Sequence, residues 1–327
     1  MMYRWEHLPE MKPAIPRHRD VCRYYRKTET VNSTFFLNPE HLAPVRRLNL
    51  RARLIVEGMI AGLHRSPYHG FSAEFSEYRS YQPGESTRMI DWRKYAKTDR
   101  SYVRLHEDET NLIAHLLIDK SASMGFASRK RISKFDYACT LAASIAWILV
   151  RQRDAVALAA FDESVNTYLP PRSTNTQLKN IMTALEGISP GARTNCGSSI
   201  DRLAHGIKRR GLTVVLSDLY DEPEEIIRGL RHLRFKRQEV LLLWIRDPQE
   251  RSFTDTTMFQ LEDLETGATM MLDGETAAEY LTSGMARHHS SIERACREMG
   301  VDFWVVETDE PFVHALSRVL QTRRRFR

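Results

Sequence analysis

Residues 119–123 read Asp-Lys-Ser-Ala-Ser, which places a carboxylate and two hydroxyls on alternate positions directly behind the apolar run of 111–119. Two more oxygen donors occupy comparable places far along the chain. Thr194 lies in the turn "GARTNCGSS" of 191–199, and Asp218 closes the apolar run "LTVVLSD" of 212–218. Brought together, Asp119, Ser121, Ser123, Thr194 and Asp218 would offer two carboxylates and three hydroxyls, with no lysine or arginine expected among them. Such a donor set suits a hard divalent cation. Mg²⁺ takes oxygen ligands octahedrally and keeps several waters, and Mn²⁺ or Ca²⁺ would accept the same donors.

Catalysis would have to use the same place. Phosphoryl-transfer enzymes of the haloacid dehalogenase type carry a second aspartate two residues after the first, as general acid/base beside the nucleophile. Here that position is Ser121. Neither a G-x-x-x-x-G-K-[ST] phosphate loop nor a G-x-S-x-G elbow occurs in the chain. The expectation is therefore a binding protein and not an enzyme, with a metal-dependent phosphohydrolase using the same crevice as the alternative. Hydroxyls bound to a metal favour the capture of an external carboxylate over the activation of water. Other conspicuous residues have simpler roles. His115, inside an apolar run, reads as a hydrogen-bonded core histidine; His64 and His69 flank a loop; Asp91 and Trp92 buttress the fold. The acidic stretch 247–279 reads mostly as a solvated hairpin, and its carboxylates lack EF-hand spacing.

Elements that could position these groups begin near residue 111. "NLIAHLLID" (111–119), "AVALAAF" (155–161), "LTVVLSD" (212–218), "EVLLLWIRD" (239–247) and "VDFWVVETD" (301–309) are short apolar runs suited to strands buried on both faces of a parallel sheet. Helical stripes separate most of them, at 133–151, 175–187, 198–210, 222–235, 276–299 and 311–322. Ser133 and Asp136 are spaced as a capping box at the first of these. Residues 159–169 read as a tight hairpin adding one antiparallel strand, and 257–274 as a second hairpin turning at Gly267, inserted at about 248–275. The fold class is doubly wound α/β with a mostly parallel, Rossmann-like sheet. Ligands of such sheets bind beyond the carboxyl ends of strands where strand order reverses, and Asp119 and Asp218 would flank that crevice. The organisation expected is an irregular extension over 1–40, a helix plus a β-rich segment over 41–110 with a turn at Pro83-Gly84, and the α/β domain over 111–327.

The D-x-S-x-S run with Thr194 and Asp218, in that order and strand context, resembles the metal-ion-dependent adhesion site of von Willebrand factor A domains. The resemblance implies Ser121 and Ser123 as direct ligands, Thr194 as direct or water-bridged, and Asp119 and Asp218 as mostly second-sphere anions. It leaves an open position for a partner's Asp or Glu. A longer match, from "EGMIAGLHRSPYHGFSAEFSEYRSYQPGESTRMIDWRKYAKTDRSYVRLHEDETN" through "VVLSDLYD", "IRDPQE" and "LEDLETG", resembles domain-of-unknown-function family 58. That family consists of von Willebrand A-like proteins often encoded beside MoxR-type AAA+ ATPases. Such an ATPase is the partner it implies, in the assembly of a protein or complex. Glu85 in "PGES" stands where the family usually shows aspartate, which preserves the charge.

Composition narrows the setting. With 327 residues, 42% of them hydrophobic, the chain can bury one sizeable core or two smaller ones. Its longest apolar run, 138–150, has 13 residues against the roughly 18 that a membrane span needs. The start lacks the apolar core of a secretory signal. Cys22, Cys139, Cys196 and Cys296 are scattered, as unpaired thiols in a reducing compartment would be, so a cytoplasmic location is expected. The net charge of +6 is polarised: basic runs at 46–53, 228–237 and the end face nine acidic residues and one basic one in 247–279. Without an aromatic-interleaved basic patch, nucleic acid is not an expected partner.

Overall fold

The computed structural model describes residues 38–63, 78–81, 95–96, 102–104, 112–128, 131–191, 195–250, 259–262, 269–272 and 274–324. Ten strands are present among them: β1 (Tyr78–Ser80), β2 (Tyr102–Arg104), β3 (Ile113–Asp119), β4 (Ala155–Phe161), β5 (Val165–Arg172), β6 (Gly211–Ser217), β7 (Gln238–Arg246), β8 (Phe259–Glu262), β9 (Thr269–Leu272) and β10 (Asp302–Glu307). The helices are α1 (Pro39–Leu42), α2 (Leu48–Leu63), α3 (Lys134–Arg151), α4 (Asn175–Gly187), α5 (Cys196–Gly206), α6 (Pro223–Phe235), α7 (Gly274–Met299) and α8 (Phe312–Arg324). Six strands form one sheet in the order β10-β7-β6-β3-β4-β5, parallel except for β5. The expected doubly wound sheet and its antiparallel hairpin are both there. β1 with β2, and β8 with β9, make separate antiparallel pairs. The turns expected at Pro83-Gly84 and Gly267 lie outside the described residues, as do residues 1–37, His64, His69, Asp91 and Trp92.

Alternation along β3 explains why its sequence is apolar throughout. Leu116 and Ile118 join a core with α2, α3, α4 and α8, while Leu117 joins another with α5, α6 and α7. Successive side chains of a strand point to opposite faces, so a sheet covered on both sides admits no polar alternation. β10 departs from this expectation: it is an edge strand, and Trp304 is 42% exposed under the Arg318 guanidinium. Leu48, Ala52, Ile55, Val56 and Met59 of α2 belong to the same apolar cluster as α3.

α3 begins as its sequence suggests, with Ser133 Oγ accepting from the Asp136 amide. It follows β3 on one face, and the chain returns to place β6 on the other side of β3. Strand order therefore reverses between β3 and β6, and Asp119 and Asp218 stand at the carboxyl ends of those two strands. On the opposite face α5 and α6 cross at two glycines. A Cβ on Gly229 would lie 2.7 Å from the Gly197 carbonyl oxygen and 3.0 Å from Ile200 Cβ. Backbone meets backbone there, and neither helix has a flexible side chain to yield.

Gly229→Ala should destabilise the protein by about 1–3 kcal/mol through overpacking, despite alanine's better helix propensity. A fall in the urea midpoint with unchanged slope is the expected result; an equal or higher midpoint would refute the close crossing.

Candidate functional site

β3 and β6 run parallel with Ile118 opposite Leu216, so Asp119 and Ser217 come level at the sheet's edge. Ser217 Oγ donates to Asp119 Oδ2 at 2.6 Å, and the Ser121 amide donates to Asp119 Oδ1 at 2.9 Å. The chain then enters a short 3₁₀ turn, Ala122–Gly125, which folds Ser123 back so that its Oγ lies 3.0 Å from Ser121 Oγ. Asp119, Ser121, Ser123 and Asp218 are all buried. Lys120, between the donors, points away and pairs with Asp162 at the end of β4. The alternation of 119–123 thus sorts three oxygens to one side and the ammonium to another. Thr194 lies outside the described residues; Asn195 beside it caps α5, its Oδ1 accepting from the Ser198 amide.

The expectation that no lysine or arginine joins these groups is overturned. Lys134, in the first turn of α3, is wholly buried, and its Nζ donates to Asp218 Oδ2 at 2.7 Å and to Glu250 Oε1 at 2.8 Å. The same ammonium stands 4.7 Å from the centre of the Tyr220 ring. Burial alone would lower this lysine's pKa, but the charges and hydrogen bonds of Asp218 and Glu250 raise it, so the ammonium stays charged. Glu250 corrects a second expectation. The acidic stretch does not begin as a solvated hairpin: Asp247 is fully buried, its Oδ2 accepts from the Ser128 amide, and Glu250 Oε2 accepts from the Asp247 amide. Sequence reasoning missed both because Lys134 looks like an ordinary first-turn helix residue. The only signal was "IRDPQE", where a short apolar-to-acidic switch closes β7 at the same sheet edge.

Asp218 and Glu250 share the one ammonium, and Asp119, beside Asp218, takes no hydrogen bond from it. Asp119 bears the cost: burial first, and then the Asp218 charge, push its carboxyl up to about 7. Asp218 Oδ1 is buried without a hydrogen-bond partner among the described residues. An unpartnered buried carboxylate oxygen, two hydroxyls turned on each other and a carboxyl reluctant to ionise all fit a cation that prefers oxygen. Asp119, Ser121, Ser123 and Asp218 are the described residues that could hold one, with Lys134 already supplying part of the positive charge.

Strain accompanies the cluster. Leu219, next to Asp218, has φ 56°, a left-handed conformation uncommon for a non-glycine residue. It is held by its buried side chain, by its amide donating to Ser217 Oγ (2.9 Å) and by His288 Nε2 of α7 donating to its carbonyl (2.9 Å). Residues elsewhere take the simpler roles. His115 is 6% exposed, and burial lowers its pKa to about 4, so it is a neutral core histidine. In the basic run 228–237, Arg228 pairs with Glu225, and Arg234 donates to the carbonyls of Met299 and Gln238. Cys139, Cys196 and Cys296 are free and buried. Among the described residues no helix is long and apolar enough to cross a membrane.

A family model described as "Protein of unknown function DUF58" matches residues 77–290. The uncharacterized protein Rv1480 of Mycobacterium tuberculosis is 28% identical over 293 residues, covering 88% of this chain and 91% of that protein. The uncharacterized protein Mb1516 of Mycobacterium bovis matches over the same shares. Among solved structures, BatB from Bacteroides thetaiotaomicron is similar with a TM-score of 0.43 and 15% identity, over 65% of this chain and 99% of that one. The SpRpn10 VWA domain is similar with a TM-score of 0.38 and 12% identity, over 65% and 95%.

The Asp119 carboxyl generates a pH dependence whose sign is fixed. Its folded pKa is raised, so between about pH 4 and 7 the folded state binds more protons than the unfolded one, and stability falls as pH rises. His115 acts oppositely, since its lowered pKa makes stability rise over pH 4 to 6.5. In chelator, Asp119→Asn should therefore be more stable than the wild type by an amount that grows from pH 4 to 7 and then levels. Stability curves that run parallel across that window would contradict the assignment.

Proposed function

Because the chain belongs to the DUF58 family and has a von Willebrand A-like fold, we propose that it is a protein-interaction module that grips an acidic side chain of a partner at a divalent cation. Asp119, Ser121, Ser123, Thr194 and Asp218 would hold the cation. The observation that carries this reading is the convergence of four of these groups at the β3/β6 switch point, with Asp218 Oδ1 left unpartnered. Bound Mg²⁺ would supply positive charge and an exchangeable coordination position, which is what capture of an external carboxylate requires.

The chain's own residues do the rest. The Ser121 and Ser123 hydroxyls offer neutral oxygens, which leave the cation's charge uncompensated and so attractive to a partner's acid. Asp119 and Asp218 supply charge from behind, each fixed by groups of the neighbouring strand or helix. Lys134 sets the balance: with its ammonium on Asp218, the cluster is less acidic than its carboxyl count, which tempers cation affinity. Glu250, on the same ammonium, is an internal acid that takes up part of its charge. A MoxR-type AAA+ ATPase is the partner we propose, on the family resemblance alone, and the cytoplasm is the setting that buried free thiols suit.

Lys134→Met isolates the electrostatics. Leaving Asp218 and Glu250 without their cation should cost about 3–5 kcal/mol of stability in EDTA. Saturating Mg²⁺ should restore much of it, and calorimetry should show tighter Mg²⁺ binding than in the wild type. Partner capture from lysate should be lost in EDTA and in Asp119→Ala, with the fold retained. Equal recovery with and without EDTA would overturn the adhesion reading. Mg²⁺-dependent phosphoester turnover abolished by Asp119→Ala would replace it with a phosphohydrolase.

A further inference from the structure

On the face of the sheet away from α3, two imidazoles and a carboxylate meet across the α5–α6 crossing. Asp201 and His205 are four residues apart on α5 and so share a face. His232 reaches them from the last turn of α6. His232 Nδ1 lies 2.8 Å from Asp201 Oδ1, and His205 Nδ1 lies 3.9 Å from Asp201 Oδ2 and 3.0 Å from the Asp201 carbonyl oxygen. The two rings meet edge to face with centroids 4.3 Å apart. One ligand atom from each residue lies within 4.8 Å of the other two.

We propose that Asp201, His205 and His232 form a binding site for one first-row transition-metal ion, with Zn²⁺ the best fit. Bonds of 2.0–2.2 Å in a tetrahedral site imply ligand–ligand separations of about 3.3 Å; the two Asp201 oxygens lie 2.8 Å from His232 Nδ1 and 3.9 Å from His205 Nδ1, so side-chain rotation alone would bring the set to that spacing. Two nitrogens and one carboxylate oxygen suit Zn²⁺ and its neighbours, whereas Mg²⁺ and Ca²⁺ prefer oxygen alone. Three protein ligands leave a fourth position to water or another donor. On binding, neutral His232 would carry its proton on Nε2 and leave Nδ1 free for the metal; two neutral imidazoles and one carboxylate then leave a net charge of +1, at a cluster that is part-exposed to solvent.

The scaffold is preformed. α5 and α6 are locked at the Gly197–Gly229 contact, about one turn away on each helix, which fixes the spacing between Asp201 and His232 before any metal arrives. Burial is graded as a loading site requires. His232 and Asp201 side chains are 17% and 32% exposed, while His205 is 69% exposed and can swing to close the set. Because α5 and α6 both begin at the β3/β6 crevice, a metal there would clamp the two helices that frame it.

The full chain, without a polyhistidine tag and stripped of metal, should bind one equivalent of Zn²⁺ that excess Mg²⁺ does not displace. Co²⁺ in its place should give the intense visible absorption of a four-coordinate site. His205→Ala changes an exposed side chain and should leave the fold intact, yet weaken Zn²⁺ binding at least about 10-fold and abolish the Zn²⁺-induced rise in Tm. His232→Ala should do the same, and Asp119→Ala should leave Zn²⁺ affinity unaltered, which separates this site from the oxygen cluster. Zn²⁺ affinity unaltered by both histidine substitutions, or no Zn²⁺ bound by the wild type at micromolar concentration, would overturn the proposal.

Discussion

Asp119, Asp218, Glu250 and Lys134 share a space from which water is almost excluded, and their mutual compensation constrains the rest of the sheet edge. Transfer of an ion into such a space costs several kcal/mol even after relaxation, and a partner repays this only with good geometry. Lys134 has that geometry toward two carboxylates at once. Asp119 has none from a cation, and two hydrogen bonds from Ser217 and Ser121 offset only part of its burial and of the Asp218 charge. A fold that retains such a group keeps an energetic deficit at one point, and a deficit in positive charge is what a divalent ion removes.

The deficit is held in place by backbone as much as by side chains. Ser217 has two duties, donating to Asp119 and accepting from the Leu219 amide. Leu219 could relax out of its left-handed conformation only by giving up that bond, the bond from His288 and its place in the apolar cluster. Asp218 therefore sits between two fixed neighbours. Across the crevice, the 3₁₀ turn after Asp119 does the same for Ser121 and Ser123. The 247–250 segment is fixed as well, through Lys134, Ser128 and its own Asp247–Glu250 contact.

Apolar runs of seven to nine residues made the parallel sheet legible, because strands covered on both faces need apolar side chains at every position, as in β3, β6 and β7. Asp119, Ser121, Ser123 and Asp218 were legible for a local reason: polar residues that end such runs must lie at the carboxyl edge. Lys134 and Glu250 were not, because neither ends a run in a way that distinguishes it from a solvated helix or loop residue. Their burial follows from how α3 and the loop after β7 pack over the edge, which is decided by tertiary contacts. The exposure of Trp304 was hidden for a related reason. An edge strand can carry the same apolar run as a central one, and only sheet order tells them apart.

The two faces of the sheet are joined through the residue after Asp218. His288 belongs to α7, which packs on α6 and β10, and its Nε2 is fixed on the Leu219 carbonyl. Its ring and that of His289 lie against Trp244 of β7. A shift of Asp218 toward a ligand would pull on Leu219, and Leu219 cannot move without either breaking the His288 bond or dragging α7 along Trp244. The Asp221 carboxylate adds a second tie, accepting from the Gly197 amide at the glycine crossing of α5 and α6. Close-packed elements of this kind respond by discrete rearrangement and not by continuous deformation. Any displacement of Asp218 would therefore be passed, through contacts one residue away from it, to the long helix on the far side of the sheet.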